Sequence, residues 1–182
     1  MKIIETGFIG LIVIRPTIFQ DERGYFFESF NQDTMNKAGV TFIPVQDNES
    51  KSSKGVIRGL HYQLMPFGQA KLVRVIEGKI FDVALDLRKS SRTFGKWFGL
   101  ELDSENKEMV LIPKGFAHGF SVISDTAIIQ YKCDSVYNSQ YERGIFLNDP
   151  QLDINWKTGS TLQVISEKDL KQPLFVDAEY NF

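Results

Sequence analysis

Lys71-Leu-Val-Arg-Val-Ile-Glu77-Gly78-Lys79-Ile-Phe-Asp-Val-Ala-Leu-Asp-Leu87 is the stretch that decides the fold class. It is rich in β-branched and aromatic residues and is broken once, by Gly78. Leu72–Ile76 and Lys79–Leu87 therefore read as two strands joined at Glu77-Gly78 in a short hairpin. The same signature extends outward in both directions. Strands are predicted at Gly24–Phe30, Val56–Leu64, Phe98–Leu102, Glu108–Ile112, Gly119–Val122 and Ile128–Cys133, with a first strand in the apolar run Phe8–Ile14. Fifteen Phe and fourteen Gly suit short strands punctuated by turns. This spacing predicts a mainly all-β protein, an antiparallel sandwich or barrel. Helix is scarce. Asn31 can cap a short helix through Ala38, stopped by Gly39, and Ser166 can cap a turn at Glu167–Leu170.

A chain of 182 residues, 42% of them hydrophobic, fits a single domain over residues 1–182 with a sizeable core. Its net charge of -2 supplies no basic field for a nucleic-acid backbone. Basic residues recur beside aromatics, a pattern suited to a small anionic ligand. Cys133 is the only cysteine, so an internal disulfide is ruled out and a reducing compartment is expected. Phe8–Ile14 is too short to span a bilayer and no small-residue cleavage site follows it. The reading is a cytoplasmic protein with no membrane partner.

The chain has two histidines, in Arg58-Gly-Leu-His61-Tyr-Gln63 and in Pro113-Lys-Gly-Phe-Ala-His118-Gly-Phe120. The second segment resembles the Pro-x-Gly-x-x-His pattern of the second cupin motif, which makes a jelly-roll β-barrel the leading fold. Metal-binding cupins commonly use three histidines and a glutamate. That set is unavailable here, since Gln63 occupies the next inward position after His61. On ligand counting, a site of two histidines and one carboxylate stays open, but the expectation is no metal and no cofactor.

Strand parity points to organic side chains instead. Ile57, Gly59, His61 and Gln63 fall on one face, Lys71 falls with Val73 and Val75, and Tyr131 falls with Ile129 and Cys133. Each has an ordinary explanation: a hydrogen-bonded core histidine, a lysine snorkelling from a strand end, a packed tyrosine. Three titratable groups converging on one apolar interior favour a site.

The whole chain resembles the dTDP-4-dehydrorhamnose 3,5-epimerase family. The resemblance runs through Asp21-Glu-Arg-Gly-Tyr-Phe-Phe-Glu28, Val45-Gln-Asp-Asn48, Arg58-Gly-Leu-His61, Lys71-Leu-Val-Arg74 and Phe81-Asp-Val-Ala-Leu-Asp-Leu-Arg88. It continues in Pro113–Phe120, Tyr131-Lys132, Glu142-Arg-Gly-Ile145, Asn148-Asp-Pro150 and Ser166-Glu-Lys-Asp169. It implies that His61 is the general base, Asp169 its partner and Tyr131 the opposing acid, with Lys71 facing the ketone oxygen. It further implies that Arg23, Glu28, Gln46, Asn48, Arg58, His118, Glu142 and Lys168 line a sugar-nucleotide site and that Tyr137 stacks on thymine. Arg23, Phe26 and Glu28 would reach a neighbouring subunit's site, in a homodimer with exchanged strands. The family usually has proline two residues after the stacking tyrosine; here Ser139 stands there. Arg58 also has the wrong parity for an inward residue, so its implied role requires an irregular backbone or a rim position.

The implied substrate, a dTDP-4-keto-6-deoxy sugar, carries acidic hydrogens at C3 and C5 beside its carbonyl. Removing one requires a base, a donor for the enolate oxygen and an acid on the opposite face. The carbonyl itself is the electron sink. Rival readings are an epimerase acting on one centre, a metal-dependent cupin oxygenase and a non-catalytic sugar-binding cupin.

Overall fold

A computed structural model describes residues 1–182, the whole chain. Thirteen strands run in sequence. The first five are β1 (Lys2–Glu5), β2 (Ile12–Arg15), β3 (Ile18–Asp21), β4 (Gly24–Phe27) and β5 (Gln46–Ser53). Then come β6 (Ile57–Gln63), β7 (Lys71–Glu77), β8 (Lys79–Asp86) and β9 (Trp97–Asp103). The last four are β10 (Met109–Ile112), β11 (Phe116–Val122), β12 (Thr126–Cys133) and β13 (Glu142–Gly144). Helix α1 (Gln32–Lys37) lies between β4 and β5, and α2 (Glu167–Leu170) lies near the C-terminus. No helix is long and apolar enough to cross a membrane.

Two antiparallel sheets face each other, ordered β1-β2-β10-β7-β12-β5 and β13-β6-β11-β8-β9. Period-two alternation divides their side chains among three layers. Between the sheets, Val73, Val75, Val110 and Ile129 meet Ile80, Ala84, Phe116 and Phe120. Outside the smaller sheet, Leu60, Tyr62, Phe81, Val83 and Leu85 are covered by Leu147, Trp156 and Phe175 of the C-terminal segment. Outside the larger sheet, Ile12, Ile14, Leu72 and Leu111 pack under Met35, Val40 and Phe42. Strands β3 and β4 pair only with each other. They carry Phe19, Tyr25 and Phe26, each more than half exposed.

Several expectations are corrected. The predicted hairpin at Glu77-Gly78 does not form: β7 pairs with β10 and β12, whereas β8 pairs with β11 and β9. Gly78, at a φ of 80°, turns the chain from one sheet to the other. A tight glycine turn between two apolar strands carries no information about which sheet each strand joins. Phe8–Ile14 is not one strand, because the Leu11 amide bonds the Phe8 carbonyl in a turn and β2 begins at Ile12. The predicted strand from Gly24 ends at Phe27. Ile57 does not share a face with His61; it packs with Leu60, Tyr62 and Leu64 on the outer side.

That last difference has a local cause. Pairing of β6 with β11 shifts register between His118 and Phe120, so the alternation of β6 changes phase around Gly59. Gly59 has a φ of 131°, and a Cβ there would lie 2.5 Å from the Gly119 Cα. The bulge turns both Arg58 and His61 to the same cavity.

Both helices form where their caps predict. Asn31 accepts from the Asp33 and Thr34 amides, and Ser166 accepts from the Asp169 amide.

Candidate active site

A cavity of about 540 Å³ opens between the sheets, lined by Arg58, His61, Lys71, His118, Tyr131, Lys168 and Asp169. A smaller adjoining cavity shares His61, Lys71 and Tyr131 and adds Gln46, Asn48, Tyr137 and Glu142. The structure thus gathers eleven of the fourteen predicted residues around one centre.

His61 comes from β6 and bonds Asp169 through Nε2 at 2.7 Å. Asp169 is nearly buried, with 4% of its side chain exposed, while His61 remains 29% open to the cavity. Burial pushes the Asp169 carboxyl up. The hydrogen bond and charge of His61, the Gly59 backbone and Ser166 outweigh that push and hold it below the usual range.

Lys71 and Tyr131 arrive from the opposing sheet. Tyr131 pairs with Val73 on β7, and Lys71 pairs with Cys133 on β12, so both project from neighbouring positions. Burial lowers the Lys71 pKa, partly offset by Cys133, Asp82 and Glu142. Burial raises the Tyr131 pKa, reinforced by Cys133 and opposed by Arg58. The phenol therefore keeps its proton well into alkaline solution.

His118 forms a second pair, with Nε2 lying 2.7 Å from Asp82 Oδ2, both residues buried. Arg58 donates through Nε to Ser52 Oγ at 3.0 Å. The Tyr137 hydroxyl donates to Glu142 Oε2 at 2.7 Å, and Lys168 Nζ lies 2.6 Å from Glu142 Oε1. Burial would raise the Glu142 carboxyl, but its bonds with Lys168 and Tyr137 bring it below the ordinary value. Gln46 donates to Asn48 Oδ1 at 3.0 Å.

Arg23, Phe26 and Glu28 do not join this centre within one chain. Arg23 lies on the β3–β4 hairpin and pairs with Asp21. Phe26 is 69% exposed. Glu28 accepts from Asn31 at 2.7 Å and from Thr34 at 3.1 Å, beside α1. Asp82 and Gln63 reach the centre without having been singled out as site residues. The sequence does place Asp82 on the inward parity of β8, and an acidic residue in an apolar strand is a usable signal. No three of the His, Cys, Asp and Glu side chains cluster as a metal-ligand set.

Fold and cavity together place the chain among cupin-like isomerases. A sequence profile described as dTDP-4-dehydrorhamnose 3,5-epimerase matches residues 5–177. The chain belongs to the dTDP-4-dehydrorhamnose 3,5-epimerase family. A Shigella flexneri relative of that name is 50% identical over 181 residues, covering 99% of this chain and 99% of its own. A crystal structure of the Elizabethkingia anophelis enzyme has 48% identity and a TM-score of 0.92, covering 97% of each chain. A Legionella pneumophila dTDP-6-deoxy-D-glucose-3,5-epimerase, solved with dTDP-4-keto-L-rhamnose, has 48% identity and a TM-score of 0.90. That match covers 95% of this chain and 92% of the other.

Proposed function

We propose that this protein converts dTDP-4-dehydro-6-deoxy-D-glucose to dTDP-4-dehydro-L-rhamnose by inverting C3 and C5. The observation that carries the reading is the placement of His61 and Tyr131 on opposing sheets, facing one cavity that also holds Lys71. His61 removes a proton from the carbon beside the ketone, and Asp169 orients its ring and stabilises the imidazolium that forms. The electron pair moves into the carbonyl, and Lys71 stabilises the resulting oxyanion. Tyr131 returns a proton from the other face, which inverts the centre. Imidazole is the side chain whose charge changes most readily near neutrality, which suits a base that must recycle.

Arg58, His118 and Lys168 serve the nucleotide sugar's anionic and polar groups, and Tyr137 stacks on the thymine with Gln46, Asn48 and Glu142 around it. Arg23, Phe26 and Glu28 serve the cavity of a second copy in a homodimer. The exposed aromatics of β3–β4, a hairpin standing apart from both large sheets, support that arrangement. Residues 1–182 act as one domain, in the cytoplasm, with no metal or cofactor.

Incubation with the 4-keto sugar nucleotide in deuterated water tests the reaction. Label should enter at both C3 and C5. Label at one carbon alone would reassign the protein as a single-centre epimerase, and binding without label would make it a sugar-binding cupin. Loss of activity on chelation would instead favour a metal-dependent enzyme.

A further inference from the structure

Tyr137 belongs to a connection, residues 134–141, that no strand or helix contains. Its backbone is held by the side chains of three glutamines on separate segments. Gln69 Nε2 donates to the Ser135 carbonyl at 2.7 Å. Gln63 Nε2 donates to the Val136 carbonyl at 3.2 Å, and Gln63 Oε1 accepts from the Asn138 amide at 2.6 Å. Gln46 Oε1 accepts from the Tyr137 amide at 2.8 Å. Four consecutive residues are fixed in this way, and Gln63 brackets Tyr137 from both sides.

Gln63 is 3% exposed, and its remaining donor capacity goes to the Phe67 carbonyl at 2.7 Å. All three backbone partners need an amide. A carboxylate would face two carbonyl oxygens, and an apolar side chain would leave three backbone groups without this partner. Gln63 also stands two residues after His61 on β6. One strand therefore carries both the histidine and the anchor of the Tyr137 loop.

We propose that Gln63 is a positioning residue for nucleotide recognition. It holds the Tyr137 ring in the plane on which the base stacks and fixes that plane relative to His61. The inference rests on the reading of Tyr137 as the stacking residue. Because its polar atoms are engaged by backbone, Gln63 acts on affinity and leaves proton transfer to His61 and Tyr131.

The test is calorimetric titration of dTDP into the wild type, Gln63→Leu, Tyr137→Ala and the double variant, with KM and kcat measured alongside. Tyr137→Ala and Gln63→Leu should each weaken dTDP binding about tenfold, within what base stacking on an aromatic ring supplies. The double variant should bind no worse than Tyr137→Ala, and Gln63→Leu should raise KM with kcat nearly unchanged. Unchanged affinity in Tyr137→Ala would remove the stacking reading and this inference with it. If Tyr137→Ala weakens binding, three outcomes overturn the role of Gln63 alone: unchanged affinity in Gln63→Leu, a full further loss in the double variant, or a loss confined to kcat. Should Gln63→Leu not fold, Gln63→Glu decides. Its affinity relative to wild type should improve as pH falls and the carboxyl gains a donor, and a pH-independent ratio overturns the proposal.

Discussion

His61 Nε2 and Asp169 Oδ1 lie 2.7 Å apart although 108 residues separate them in the chain. The contact depends on a four-residue helix whose cap, Ser166, holds the Asp169 amide at 3.1 Å. An asparagine would keep the shape and lose the charge that stabilises a protonated imidazole. Asp169→Asn should therefore reduce kcat by about 10²–10⁴-fold with little change in dTDP affinity. Turnover within about threefold of wild type would remove Asp169 from this role.

The same carboxylate sets a pH dependence of stability. Its folded pKa is below the ordinary value of about 3.9, so its contribution is complete above that value and is lost as pH falls through the depressed one. The melting temperature of wild type should exceed that of Asp169→Asn at pH values above the ordinary aspartate range. The margin should narrow below about pH 4. Thermal melts across pH would contradict this if the margin widened toward acid.

Lys71 presents the opposite balance. Its folded pKa is lowered, chiefly by burial, so the penalty for burying its charge is full below that pKa and fades as pH rises through the ordinary lysine value. Lys71→Met should raise the melting temperature at neutral pH while reducing kcat by about 10²–10³-fold. A variant that lost stability would show that the ammonium is better compensated in the fold than its surroundings indicate.

The legibility of the sequence varies with how local the cause is. Asn31 and Ser166 could be read as caps because a cap needs only its next three residues. Lys71 and Tyr131 were legible by parity, since β7 and β12 keep their alternation over those positions. The phase of β6 was not, because the shift around Gly59 arises from its closeness to Gly119, sixty residues later in sequence. Strand β5 was missed for another reason. Gln46-Asp-Asn-Glu-Ser-Lys-Ser-Ser53 is entirely polar, and it forms an edge strand paired on one side by β12. Tertiary pairing overrides its weak strand propensity. The sheet membership of β7 and β8 was equally hidden, as Gly78 permits both a hairpin and a crossing between sheets.

The approach of Gly59 to Gly119 gives a prediction of its own. A Cβ at residue 59 would sit 2.5 Å from the Gly119 Cα and 3.0 Å from the His118 carbonyl oxygen, at a φ that L side chains rarely adopt. Gly59→Ala should cost at least about 2 kcal/mol, a fall of roughly 4–8 °C in melting temperature for a chain of this size. Activity at temperatures where the variant stays folded should also fall, since Arg58 and His61 flank the displaced residue. A melting temperature within about 1 °C of wild type would mean that the strands separate freely there.

Tyr131 separates proton removal from inversion. His61 and Tyr131 face the cavity from different sheets, and burial keeps the phenol protonated where a free tyrosine would begin to ionise. Tyr131→Phe leaves the base, the oxyanion donor and the ring's packing in place. It removes only the proton source opposite His61. Enolate formation should continue, with the proton returned by His61 on the face from which it was taken. Solvent deuterium should therefore enter the substrate with retained configuration, while inverted product falls by about 10²–10⁴-fold. The two outcomes are resolved by measuring label and stereochemistry in one sample. Inverted product at the wild-type rate would place the acid on another group, and loss of both exchange and inversion would make Tyr131 part of the proton-removal step.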